Sequence, residues 1–305
     1  MATTMAAPVN NSVSLATRFL PILDEIYKRN SLTSALDMAN ERVEFIGAQT
    51  AKVFKVDVDG LGNYSRNAGF VPGSSDGTWE TLTLQQDRGR SFSIDVMDND
   101  ETLGMMMAST LGEFERTKVV PEVDAYRFAK YAAGAGTTVT ASLSGSDDIP
   151  ALIQAGEASM DDDEVPYEGR LLFVNPTIYS YFKADITRFT LNGQPDVNGE
   201  VEMYDGMRVI RVPSARFNTQ VTLAAPTDAS SAGGYSATGA DINFMIVHPS
   251  AVVQVIKHQI PRIFSPEVNQ EADAWKINYR IYHDCWVLAN KTDGIYVHKA
   301  ASSST

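Results

Sequence analysis

The chain has 305 residues, 44% of them hydrophobic, a single cysteine and a formal net charge of −13. That hydrophobic content is ordinary for a globular protein and excludes a disordered chain, and the length accommodates one large domain or two packed ones. The acidic balance opposes tight, sequence-independent binding to nucleic acid, which needs lysine and arginine to displace counterions from phosphates.

Cys285, inside an apolar strand-like run, excludes an intramolecular disulfide framework and fits folding in a reducing cytosol. The start, MATTMAAPVNNSVS, lacks a charged n-region followed by an apolar core, so no signal peptide is expected. No apolar run approaches the roughly 20 residues that cross a bilayer, and the chain reads as soluble.

Residues 1–50 read as an arm. Leu15, Phe19, Ile22 and Ile26 fall at helical spacing, with Pro21 opening a second short helix, and little nearby sequence covers that stripe. Residues 51–97 predict a long β-hairpin. Its arms are AKVFKVDV (51–58) and TWETLTLQQDRGRSFSIDVM (78–97), around a polar tip with glycines at 60, 62, 69 and 73. Leu82, Leu84, Phe92, Ile94 and Val96 alternate with polar residues, so one face covers something. A hairpin this long, with so few packing residues at its tip, forms no core of its own and is expected to lie on another molecule.

Residues 98–120 predict a helix with Leu103, Met107, Leu111 and Phe114 on one face and Asp98, Asn99 or Asp100 as its cap. Pro121 opens the next helix, PEVDAYRFAKYAAG (121–134), which gives a long spine bent or interrupted near the proline. The run Met105-Met106-Met107 reads as adaptable packing under that spine.

Residues 135–250 predict a separate α/β region. DDIPALIQAGEASMDDDE is an amphipathic helix with acidic ends. RLLFVNPTIYSYFK (170–183) is a buried strand running into a helix capped by Asn175, with Pro176 at its first position. FMIVHPSAVVQVIK (244–257) repeats that strand–Pro–helix pattern. EVEMYDGMRVIRVPS (200–214) is a strand pair around the Asp205-Gly206 turn, and residues 225–241 have loop composition. In WKINYRIYHDCWVLAN (275–290), Trp275, Ile277, Tyr279 and Ile281 alternate with polar residues, which predicts a half-buried sheet packed against the spine. The strand GIYVHK (294–299) follows.

The order of these pieces resembles the major capsid proteins of tailed bacteriophages, the Hong Kong ninety-seven fold shared with encapsulin shells. The wording carries the resemblance as well: VEFIGAQTAKVFKV entering the hairpin, QQDRGRSFSIDVMDNDET leaving it and VVPEVDAYRFAKYA on the spine. RLLFVNPTIYSYFK, MYDGMRVIRVPS and the stretch INFMIVHPSAVVQVIKHQIPRIFSPEVNQEADAWKINYRIYHDCWV follow, so that nearly everything from Glu41 to Lys299 is covered. The resemblance implies an α+β fold with four parts. These are an N-terminal arm (1–50), an extended loop (51–97), a peripheral domain with spine helix and sheet (98–134 and 251–305), and an α/β axial domain (135–250). It implies a subunit that assembles into hexamers and pentamers of an icosahedral or prolate head enclosing double-stranded DNA. An acidic wall suits that role, because it does not stick to packed DNA. A portal protein is an implied partner. The arm looks short for a cleavable scaffolding extension, which implies a separate scaffolding protein or assembly without one. Assembly in the host cytoplasm and residence in the virion capsid follow from the same resemblance.

Lys52, Lys55, Arg66, Arg88 and Arg90 stand out in an acidic chain as candidate inter-subunit contacts. They serve equally to blunt strand edges against wrong pairing. Some relatives join a hairpin lysine to an asparagine of an adjacent subunit, which would pair Lys52 or Lys55 with a residue such as Asn290.

The cluster Asp95, Asp98, Asp100 and Glu101 allows a carboxylate pair, and hence a hydrolase, but capping of a helix N-terminus accounts for it more simply. Asp161, Asp162, Asp163 and Glu164 read as a solvated turn. DVDGLGN lacks the acidic positions of a calcium loop. His248, His258, His283 and His298 have no zinc-like spacing with Cys285, and Cys285 itself reads as a buried structural thiol. No catalytic, cofactor or metal site is expected. An encapsulin-like compartment remains the alternative shell.

Overall fold

A computed structural model describes residues 31–37, 44–45, 50–67, 69–97, 105–189, 201–225 and 232–301. The predicted arm helices and three members of the acidic cluster, Asp98, Asp100 and Glu101, lie outside the described residues.

In chain order the strands and helices begin with β1 (Glu44–Phe45), β2 (Thr50–Val58), β3 (Ser75–Thr83) and β4 (Gln86–Asp95). Next come α1 (Met105–Phe114), a π-helical turn at Glu115–Val119, α2 (Val120–Ala133), β5 (Thr137–Thr140) and α3 (Ile149–Asp162). The middle of the chain supplies β6 (Leu171–Val174), α4 (Pro176–Phe189), β7 (Met203–Tyr204), β8 (Met207–Arg211) and β9 (Asn218–Leu223). The last elements are β10 (Tyr235–Val247), β11 (Val252–Gln259), β12 (Arg262–Phe264), β13 (Ala274–Val287) and β14 (Ile295–Lys299).

Among the described residues the strands form three sheets. A three-stranded sheet has the order β1-β2-β3; a seven-stranded sheet runs β5-β14-β10-β6-β8-β7, with β9 on the outer half of β10. In the four-stranded sheet β13 is central, with β11 and β12 pairing along it and β4 also bonded to it.

The long helix spans both larger sheets. Leu111, Val119, Val120 and Val123 pack on Ile94, Ile263, Ile277, Tyr279 and Ile281 of the four-stranded sheet. Farther along, Phe128 and Tyr131 pack on Phe173, Met245, Val247, Ile295 and Val297 of the seven-stranded sheet. The other face of that sheet is covered by Ile149, Ile153 and Met160 of α3 and Ile178 and Phe182 of α4. Sandwiched between helices, β6 is buried along its whole length, which is why LLFV shows no alternation.

The predicted helix start at Asn175 holds, and Asp148 supplies a second cap of the same kind. Asn175 accepts from the amide of Thr177 at 3.0 Å, and Asp148 from that of Ala151 at 3.1 Å, each capping a helix that begins with proline near its start. Asp205 and Gly206 have φ of 45° and 78°, the paired left-handed conformation that a tight two-residue hairpin requires.

The differences lie in longer-range pairing. The second predicted hairpin arm is two strands. Of these two, β3 pairs with β2, while β4 turns away and pairs residue by residue with β13, Gln86 opposite His283 through Asp95 opposite Ala274. The projecting hairpin is therefore residues 50–83 rather than 51–97.

The predicted helix after His248 is instead a 3₁₀ turn, Pro249–Ala251, leading into strand β11. Its Val-Val-Gln-Val-Ile run is β-branched and pairs with β13, so tertiary pairing and strand propensity agree. Residues 235–241, read as loop, open strand β10. The C-terminal strand β14 joins the seven-stranded sheet between β5 and β10 rather than the sheet of β13.

Pro121 does not end the spine, but the α-helix is interrupted just before it, as expected, by the π-helical turn. A proline leaves a carbonyl one turn back without its usual donor. Here the preceding turn widens, and the amide of Val120 bonds Glu115 O, five residues back.

Residues 31–37, part of the predicted arm, dock on this chain's own spine. The hydroxyls of Ser31 and Thr33 donate to Asp124 Oδ1 at 2.9 and 2.8 Å, and the Leu32 amide donates to Oδ2 at 3.1 Å. Arg216 Nη1 lies 3.4 Å from the same carboxylate, which has no exposed surface, so its hydrogen bonds replace the water it has lost. Arg127, equally buried, donates to Thr33 Oγ1 at 2.8 Å.

Candidate assembly surface

Strands β2 and β3 form a two-faced ribbon, because successive side chains point to opposite sides. Phe54, Val56 and Val58 share one face of β2 and are 51%, 62% and 66% exposed. Phe54 stands opposite Trp79 on β3, their rings 4.9 Å apart, and Trp79 is itself 53% exposed. The Phe54 ring also reaches over Gly77, where a Cβ would come within 2.6 Å of its Cζ.

The tip continues the apolar character. Leu61, Tyr64, Phe70 and Val71 are exposed, and Tyr64 and Phe70 pair at 4.9 Å where Ser65 and Gly69 bridge. Most of the exposed large hydrophobic side chains among the described residues sit on this one element. Scattered surface leucines are ordinary, but a continuous aromatic and aliphatic strip on a projecting ribbon marks an interaction surface.

The five basic candidates divide. Lys52 is half-buried in β2, opposite Thr81; Lys55 pairs with Glu80 at 3.0 Å on the ribbon's opposite face from Phe54; Arg66 is exposed at the tip. Arg88 and Arg90 are not on the ribbon at all: they lie in β4, in the sheet of β13. Arg88 is bonded within this chain, to Glu122 Oε1 at 2.6 Å. Asn290 lies in the turn that follows β13.

The alternating residues expected to cover a neighbour also divide. Leu82, Leu84 and Ile94 are buried in this chain's own core, with Phe92 packed beside Ile94. The outward strip is Phe54, Val56, Val58 and Trp79. Its signal was present in the F-x-V-x-V alternation of AKVFKVDV, overshadowed by the longer alternation of the second arm.

Of the acidic cluster, Asp95 ends β4 and accepts from the Met97 amide at 2.9 Å, a turn bond. Among the described residues no three His, Cys, Asp or Glu side chains gather as a metal site. Burial pushes the Cys285 thiol up to about 12, which leaves it protonated and unreactive.

A long spine carries two sheets, and an apolar ribbon rooted beside them projects its outer half into solvent. The family model described as phage capsid protein matches residues 79–297, well over half of the sequence, and the chain belongs to that family. It is a major capsid protein, a structural subunit of the virion shell. Its role in that family is structural rather than enzymatic.

Solved structures agree in fold. A chain of Gordonia phage Cozz is 16% identical with a TM-score of 0.61, covering 88% of this chain and 87% of that one. A chain of the bacteriophage PhiM1 mature capsid is 13% identical at 0.61, covering 84% and 83%. A virus-like particle from Pyrococcus furiosus is similar as well, 12% identical at 0.53, covering 92% and 98%. No curated protein matches the sequence.

Proposed function

We propose that this major capsid protein forms hexamers and pentamers of a closed phage head around double-stranded DNA, each subunit laying its β2–β3 ribbon on a neighbour. The observation that carries the reading is the exposed strip Phe54–Val56–Val58–Trp79, which one copy leaves uncovered. Burying apolar surface stabilises by about 25 cal/mol per Å², so a strip repeated at every contact yields a large collective gain from weak individual interfaces.

In this reading the four-stranded sheet with the first half of the spine is the peripheral domain, and the seven-stranded sheet is the axial domain. Lys52, Lys55, Arg66 and Arg90 fix the register of neighbouring copies. A portal protein and a separate scaffolding protein complete the assembly, which takes place in the host cytoplasm. The net charge of −13 keeps contact with packed DNA weak and non-specific.

Electron microscopy of the purified chain, with a scaffolding protein supplied where needed, tests the reading. Closed shells with five-fold and six-fold clusters are expected, and dispersed monomers under every condition would refute it. Particles recovered from infected cells should contain nuclease-protected DNA; enzyme cargo in its place would favour a protein compartment.

A further inference from the structure

One guanidinium ties together three parts of the molecule at the root of the ribbon. Arg88 is the third residue of β4, just after the chain leaves β3 through Leu84 and Gln85. Its Nε donates to Glu122 Oε1 at 2.6 Å and its Nη2 to Oε2 at 3.1 Å, a two-pronged bond to the first turn of α2. Its Nη1 donates to Ala224 O at 2.6 Å and its Nη2 also to Gly234 O at 3.3 Å.

Ala224 and Gly234 close the β9–β10 hairpin, where the Ala224 amide donates to Gly234 O at 2.9 Å. Gly234 has φ +94°, which a residue with a Cβ rarely adopts, so the carbonyl's direction depends on glycine there. The four-stranded sheet, the spine and the edge of the seven-stranded sheet thus meet on one side chain.

From the other side, β13 holds the same joint. Asp284 Oδ2 accepts from the Gln85 amide at 2.8 Å, and Tyr282 donates to Leu84 O at 3.2 Å. The change of direction from β3 to β4 is therefore clamped between β13 and Arg88. The clamp is partly shielded, with the Arg88 and Glu122 side chains 21% and 15% exposed.

We propose that Arg88 is a positioning residue that sets the angle at which the ribbon leaves the body, and through that angle the curvature of the shell. The inference rests on the reading of the ribbon as the arm that lies on a neighbour. Leverage is its physical basis: nine residues of strand extend about 30 Å, so a rotation of roughly 10° at the root displaces the far end by about 5 Å, one strand spacing. A lysine at 88 keeps the charge but, as a point donor on a flexible stem, cannot hold the carboxylate and two carbonyls together.

The test uses Arg88→Lys and Glu122→Gln in the full chain, with two readouts. In the unassembled subunit, hydrogen exchange of the amides at Gln85 and Ala224 should accelerate about tenfold, while protection across α2 and β10 stays as in the wild type. In assembled particles, cryo-electron microscopy should show mixed diameters where the wild type gives one. Unchanged exchange at the root overturns the clamp, and faster exchange with an unchanged single diameter overturns the curvature role. Wild-type chains that never assemble overturn the neighbour-contact reading and the curvature role with it, so the two failures are distinguishable.

Discussion

Phe128 has no exposed surface and meets Phe173 and Phe217 edge-on, with centroids 5.1 Å away in each case. Removing its ring leaves a cavity that this rigid layer of helix on sheet cannot collapse into. Phe128→Ala should cost about 3–5 kcal/mol, measured by urea unfolding of the dispersed subunit. A loss below about 1 kcal/mol would mean that the spine and sheet are not packed as described.

His283 carries a pH dependence at the same scale. Burial, with lesser repulsion from Arg127 and Arg88, pushes its imidazole down to about 3 from an ordinary 6.5. The unfolded chain then binds a proton that the folded one refuses. Stability from this group is complete above pH 6.5 and falls as pH drops from there toward 3, by a few kcal/mol in order of magnitude. Urea midpoints taken across that range check it, and His283→Leu should flatten this part of the profile.

Elements show where local chemistry suffices. The cap at Asn175 and the Asp205-Gly206 turn follow from residues adjacent in sequence, and they are where the spacing puts them. The split of the second arm into β3 and β4 is different in kind. Leu82, Leu84, Phe92, Ile94 and Val96 keep one parity across the polar stretch 85–91, yet the first half pairs with β2 and the second with β13, far along the chain. Alternation reports which side chains share a face and is silent on which strand lies alongside.

The α3 seam against the β7–β8 turn adds a second titration. Burial first, then the charge of Asp205, raises Glu157 from an ordinary 4.5 to about 7. The folded chain keeps a proton that the unfolded chain has released, so stability declines as pH rises from 4.5 to about 7 and levels off above. Glu157→Gln should remove that decline. Because its slope opposes that of His283, the two single variants separate the contributions; a Glu157→Gln profile identical to wild type would discard this assignment.

Across the molecule as a whole, the apolar surface that closes the core is separate from the strip proposed for assembly. The core closes around α2 and the two large sheets without the outer ribbon, whose strip stays in solvent. A Phe54→Glu, Trp79→Glu double variant should therefore abolish shells in sedimentation analysis while shifting subunit stability by no more than about 0.5 kcal/mol per site. Leu82→Glu, at the buried root 5% exposed, should instead destabilise the subunit itself. If the double variant assembled normally, the ribbon would not be the assembly surface.

The order of the pieces, the Asn175 cap, the tight turn and a long hairpin were legible in the amino-acid sequence, because periodicity and capping are written in residues a few places apart; which of the hairpin's apolar residues face outward was not. Four outcomes emerged only once the chain was folded: β4 belongs to the body, β14 crosses to the other sheet, residues 31–37 dock on Asp124, and Arg88 turns inward. Each depends on which distant strand or charge lies alongside, and a pairing energy between remote segments leaves no pattern in either segment alone.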